Sequence, residues 1–208
     1  MKDIKGFSIK IIVLLLIISL FFNLKLIKDT REFKNELGQK NGEILQNLYT
    51  DIRSVLKTMN TSISNNNIYV GENEIITDYY DRDLREVSRN IRNLSYLRSE
   101  LYSSKDLKKI DTMPLVKLLD SFSTFLELLY QKNQNELKKY IGLDSNDLEG
   151  ISIIKDTMED LMNMINVSGE KKDRLINTLV EFTNYAKSKE FEEKRLKIEE
   201  LNNRLSQG

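Results

Sequence analysis

The chain has 208 residues, with 32 basic side chains balanced by 32 acidic ones, and this neutrality excludes the net basic surface that nucleic-acid binding requires. Cysteine and histidine are both absent, which rules out disulfides, thiolate or imidazole metal sites, an acylated-cysteine anchor and the familiar nucleophile–base pairs. With one proline and eight glycines the chain lacks the turns an all-β fold needs, so the composition predicts an all-α protein of long helices and short connectors.

The first element is the greasiest. Ile11 to Phe22 reads IIVLLLIISLFF, interrupted only by Ser19. Counted from Phe7 to Ile27 the stretch covers about 30 Å as a helix, enough to span a bilayer if Lys10 and Lys25 lay their methylenes along the lipid and keep their ammonium groups at the interfaces. A cleaved signal peptide shares the basic start of Lys2, Lys5 and Lys10, but no pair of small residues follows the run to make a peptidase site. A buried core helix fits the flanking charges least. The reading is therefore an uncleaved, single-pass signal anchor at 1–28, in contact with the membrane through Ile11 to Phe22. Lys and Arg are nearly equal on its two sides. The very short leader places the N-terminus inside and the body outside the cytoplasm.

Lys5-Gly6-Phe7 before an apolar helix resembles the start of type IV prepilins and pseudopilins over about the first twenty residues. The resemblance implies cleavage after Gly6 and a helix packed in a filament core. The chain departs from that pattern at Ile11, where most members carry Glu, and at Lys10, where an apolar residue is usual.

Beyond the anchor, the helix is expected to continue to Asn60, with Leu45, Leu48, Ile52, Val55 and Met59 on one face. Gly38 and Gly42 weaken its solvated part by about 1 kcal/mol each relative to Ala. Asn60 to Glu74 reads as an exposed turn; Ile68-Tyr69-Val70 has strand character but no evident sheet to join. A second helix, Glu74 to Ser103, sets Tyr80, Leu84, Val87, Ile91, Leu94 and Leu101 along a seam. Its other face carries Arg82, Arg85, Arg89 and Arg92, which reads as a solvated face with pairs such as Asp78–Arg82 and Asp81–Arg85. An anionic partner is the alternative use of that arginine face.

Asp111 or Thr112 caps a third helix running from Met113 to Ile141, with Pro114 in its first turn and Gly142 as its stop. Its wide apolar stripe marks it as the central helix; Lys117, Asp120, Glu127 and Lys132 argue against a second span. Asp144 or Ser145 caps the fourth helix. The string Asp144 to Gly150 has the look of a calcium loop, but Leu148 stands where a ligand is required and Gly150 is one place late, so the cap explains it better. The fifth helix begins near Glu170. Past Lys187 a charged tail carries Phe191, Ile198, Leu201 and Leu205 as a narrow coiled-coil-like seam, for the juxtamembrane helix or another chain.

The expected organisation is a membrane anchor at 1–28, a helical bundle at 29–187 and a charged helical tail at 188–208, forming an antiparallel bundle of four to five helices. Asp120, between Leu119 and Phe122, is the carboxylate best placed for acid–base work, yet a solvent-facing position or a pair with Lys117 accounts for it. No phosphate-binding or nucleophile motif occurs. The sequence therefore points to no enzyme, no catalytic, cofactor-binding or metal site and no cofactor. It points to a membrane-held bacterial protein that engages a protein partner or itself; a ligand-sensing helical domain and a minor pilin-like subunit are the alternatives.

Overall fold

The computed structural model describes the backbone of residues 2–69, 77–96, 108–133, 140–165 and 171–207, and the side chains of 12–69, 82–96, 108–132, 140–165 and 174–207. Among these, six helices and one two-stranded ribbon appear: α1 (Lys2–Asn65), β1 (Asn67–Tyr69), α2 (Thr77–Ser95), α3 (Met113–Asn133), β2 (Tyr140–Gly142), α4 (Ser145–Met164), α5 (Lys171–Tyr185) and α6 (Lys189–Gln207). The protein is predominantly α-helical, and residues 41–208 form a helical bundle. Residues 1–40 form a separate unit consisting of the first part of α1.

The bundle follows from the spacing of apolar side chains. Leu48, Ile52, Val55 and Met59 recur at steps of three and four on α1 and are all buried. Leu84, Val87, Ile91 and Leu94 do the same on α2. Helix α3 lies at the centre, packing against α2, α4 and α6, and buries Leu115, Val116, Leu118, Leu119, Phe122, Phe125, Leu126 and Leu129. Full burial of Phe122 or Phe125 stabilises the fold by about 1.5–3 kcal/mol each. The pairs Asp78–Arg82 and Asp81–Arg85, Tyr80 and Leu101 include side chains outside the described residues.

Besides α2, which ends at Ser95 with Tyr96 in a turn and not at Ser103, three boundaries differ from the sequence reading. Helix α1 runs to Asn65, well past Asn60, and closes on Asn66, whose φ of 50° lies in the left-handed region that Asn tolerates better than most residues. The segment then does find a sheet: Ile68 pairs with Ile141, flanked by Asn67 with Gly142 and Tyr69 with Tyr140 in antiparallel register. Leu143 N–H donates to the Asn66 carbonyl at 3.0 Å and closes the ribbon's base. Because Tyr140–Gly142 is a strand, Gly142 does not end a helix, and Tyr140 and Ile141 do not belong to α3. The pairing buries Ile68 and Ile141 together, a gain that a continued helix would forgo.

The third difference is at the tail. Helix α5 ends at Tyr185 and a new helix begins at Lys189, because the Ser188 hydroxyl accepts the Phe191 N–H at 3.1 Å and caps it. Phe191, Ile198 and Leu201 are buried against the core, and α6 packs on α3 and α4. The apolar seam of 188–208 is thus filled from within this chain.

Candidate functional site

In the first unit every residue from Ile12 to Glu36 is exposed. Successive residues of an α-helix advance by about 100°, so the nearly unbroken apolar run from Ile12 to Phe22 turns hydrophobic side chains through the full circumference. Leu16 is 63% exposed and Phe21 67%. Such a circumference leaves this stretch no polar face to turn toward water. Its far end is polar: Lys28 pairs with Glu32 at 3.7 Å and the Thr30 hydroxyl returns to the Leu26 carbonyl at 2.7 Å.

Among the described residues no helix is long and apolar enough to cross a membrane. Side chains are described from Ile12 onward, and a span of about 18 residues counted from there takes in Lys25, Lys28 and Asp29.

Within the bundle unit, Asp120 is exposed on α3 and its carboxylate is engaged by α2, not by Lys117. Ser88 Oγ donates to one oxygen at 2.8 Å and Arg92 to the other at 3.2 Å. This is an interhelical tie, and nothing apolar encloses the carboxylate. On the arginine face of α2, Arg92 is held by Asp120 and Arg89 by Glu86. The face is largely matched within the chain.

The Asp144–Gly150 string forms the cap of α4. Asp144 accepts the N–H groups of Asn146 at 2.8 Å and Asp147 at 2.9 Å, and its own N–H donates to the Asp147 carboxylate at 3.1 Å. This is a capping box with Asp in the place usually held by Glu. Lys132 of α3 reaches both acids, at 2.9 and 3.4 Å. That contact holds the Asp144 carboxyl below the usual carboxylate range, and the hydrogen bond to Asp144 raises the Lys132 ammonium above its ordinary value. Beside them lies a cavity of about 280 Å³, floored by Phe125, Leu201 and Leu205 and rimmed by Lys132, Asp144, Asp147 and Arg204. Its charges are already matched, Lys132 by the two acids and Arg204 by Glu200. Among the described residues no cluster of acidic side chains is arranged to hold a metal ion.

Two polar features escaped the sequence reading. Lys194 of α6 donates to Asp160 of α4 at 2.6 Å, to Glu190 at 2.7 Å and to the Tyr185 hydroxyl at 3.3 Å, knotting α4, α5 and α6 at a largely buried point. Only the i, i+4 pair Glu190–Lys194 was visible in the spacing. The second is a pair of half-exposed tyrosines, Tyr69 and Tyr140, with ring centroids 5.2 Å apart on the outer face of the ribbon. The signal for it was the two short segments Asn67-Ile68-Tyr69 and Tyr140-Ile141-Gly142, each with a β-branched residue between turn-forming and aromatic neighbours. No family model matches the chain, and no similar protein was found among curated proteins or solved structures.

Proposed function

We propose that this chain is a membrane-tethered, non-catalytic helical-bundle protein of a bacterial envelope complex, held by segment 7–27 and presenting residues 41–208 outside the cytoplasm to a protein partner. The observation that supports this most is the exposed apolar circumference from Ile12 to Phe22. Water around such a surface is costly at roughly 25 cal/mol per Å², and lipid removes that cost on all sides at once. The spanning length comes from the sequence as a whole: Phe7 to Ile27 covers about 30 Å with Lys10 as its only interior charge before Lys25. The Lys-, Asn- and Ile-rich composition supports the bacterial source.

The test is fractionation of cells expressing the full chain. Wild type is expected to remain with membranes through alkaline and urea washes and to leave them only in detergent. Replacing both Leu16 and Ile17 with Arg, each costing about 2.5–3.5 kcal/mol at a span's centre, is expected to release it. Recovery of the wild type in the washed-off soluble fraction overturns the reading. Protease added to intact cells tests sidedness: the bundle should be digested without lysis.

A further inference from the structure

Between Ile12 and Thr30, helix α1 carries only three uncharged polar side chains: Ser19, Asn23 and Thr30. Successive residues turn by about 100°, so steps of four and seven leave all three within about 40° of one another. Leucines and one phenylalanine fill the gaps between them. Leu16, Ser19, Asn23, Leu26, Thr30 and Phe33 follow one another at alternating steps of three and four, the a and d spacing of a two-helix seam. All six are exposed.

The three polar groups are not equally provided for. Thr30 returns its hydroxyl to the Leu26 carbonyl at 2.7 Å and meets its need within the helix. Among the described residues the side chains of Ser19 and Asn23 have no hydrogen-bond partner. In a span from Phe7 to Ile27 the midpoint is residue 17, so Ser19 lies about 3 Å and Asn23 about 9 Å along the axis from the middle of a hydrocarbon layer about 30 Å thick. A carboxamide at that depth has two donors and an acceptor and no water to answer them, which is costly. A second helix with the same residue at the same height answers them reciprocally, each Asn donating to the other. The anchor supplies that match, because every copy enters the lipid with the same polarity and to the same depth.

Charge favours the same arrangement where the helix leaves the lipid. Asp29 lies on one flank of the seam and Lys34 on the other, five residues apart. A parallel, in-register pair therefore sets each Asp29 beside the opposing lysine, twice over. An antiparallel pair would instead bring together the flanks that carry Asp29 and Glu36, acid against acid.

We infer that α1 pairs with a second copy of this chain, parallel and in register, along the face of Ser19, Asn23, Leu26, Thr30 and Phe33, with Asn23 hydrogen-bonded to the partner's Asn23. The pairing rests on the membrane reading and uses only residues of the first unit.

The test is disulfide trapping of the full chain in washed membranes. The chain has no cysteine, so each single substitution reports one position. Leu26→Cys, Thr30→Cys and Phe33→Cys lie on the seam; Lys28→Cys, Glu32→Cys and Asn35→Cys lie on the other side of the helix. Under mild oxidation the seam variants are expected to give a product of twice the chain's mass, at least about fivefold more than the others. Adding Asn23→Leu to Thr30→Cys should cut that product severalfold while the chain stays in the washed membranes. Equal yields from the two sides, a product of any other mass, or undiminished trapping with Asn23→Leu overturns the pairing and leaves the anchor standing. Recovery of the chain in the soluble fraction overturns the anchor, and the pairing with it.

Discussion

Gly150 of α4 lies under the ring of Phe125 of α3, so close that a Cβ added there would stand 2.6 Å from Cε2 and 2.7 Å from Cε1. Phe125 is fully buried, so its ring can yield only against packed neighbours or into the cavity it floors. Gly150→Ala is therefore expected to force the two helices apart and destabilise the bundle by about 1–3 kcal/mol, although alanine is the better helix former. Phe125→Leu in the same chain should recover part of the loss. Urea denaturation followed by circular dichroism measures both; an alanine variant as stable as wild type contradicts the close approach.

Gly38 and Gly42 give the opposite sign. Each sits inside α1, and a Cβ at either would meet nothing within 4 Å. Gly38→Ala and Gly42→Ala should each stabilise the helix by up to about 1 kcal/mol, because the unfolded chain loses freedom and no contact is strained. Higher ellipticity in thermal scans of the single and double variants is the expected result.

The cap of α4 is worth more than its exposure implies, because Asp144 serves the backbone and Lys132 together. Asp144→Ala is expected to cost about 1–2 kcal/mol. Asp144→Asn keeps a capping acceptor and should recover the larger part. The pH dependence has a definite sign. The folded Asp144 carboxyl is held below its unfolded value, so its contribution is present above the ordinary carboxylate range and fades as the pH falls through the depressed value. Acid titration of stability for wild type against Asp144→Asn isolates that share.

Much of the bundle was legible because its signals are local. The steps of three and four from Leu48 to Met59 are a property of one helix, and Asp144 with Asp147 satisfies a cap within four residues. The ribbon was not, because Ile68 acquires a partner only when Ile141 arrives from a distant part of the chain. The same competition hid the departure of Tyr140 and Ile141 from the third helix. Tyr140 and Ile141 continue an apolar helical pattern, and only burial against Ile68 makes the strand win. The tail misled for a different reason. Phe191, Ile198 and Leu201 are too few to identify a partner, so the sequence could not distinguish an outside chain from α3 and α4. The tyrosine pair depends on that ribbon, and so was out of reach with it.

Asp51 is the carboxylate that the fold treats worst. Burial first, then the charges of Asp83 and Glu86, push its carboxyl above the ordinary range, against the hydrogen bond from Asn90 at 2.8 Å. A raised folded value means that Asp51 favours folding below its unfolded value near 3.9 and loses that contribution as the pH rises through the raised one. At neutral pH it is an ionised group that the fold would rather protonate. Asp51→Asn keeps an oxygen to accept from Asn90 and removes the charge, and is expected to raise Tm by about 1–3 °C at pH 7. The advantage should shrink as the pH falls through the raised value, where wild-type Asp51 takes up its proton. A variant less stable than wild type at neutral pH contradicts the repulsion from Asp83 and Glu86.

The knot around Lys194 makes its own pH prediction at the alkaline end. Burial dominates at Tyr185 and pushes its hydroxyl up to about 12, since an ionised phenol there would lose water. At Lys194 burial works the other way, but the hydrogen bonds it donates to Asp160 and Glu190 outweigh it and raise the ammonium. Both groups have folded values above their unfolded ones, so both contributions are complete below about pH 10 and are lost as the pH climbs through the raised values. Wild type is therefore expected to lose stability steeply between about pH 10 and 12. Tyr185→Phe should flatten that slope while leaving neutral-pH stability nearly unchanged, because the ring still packs edge-on against Phe191 at 5.6 Å. Lys194→Met should cost stability at neutral pH, where it strands the Asp160 carboxylate, and should also flatten the alkaline slope. Tyrosinate absorbance in the folded chain is an independent check: a late-ionising phenol is expected, and that late step should be diminished in Tyr185→Phe.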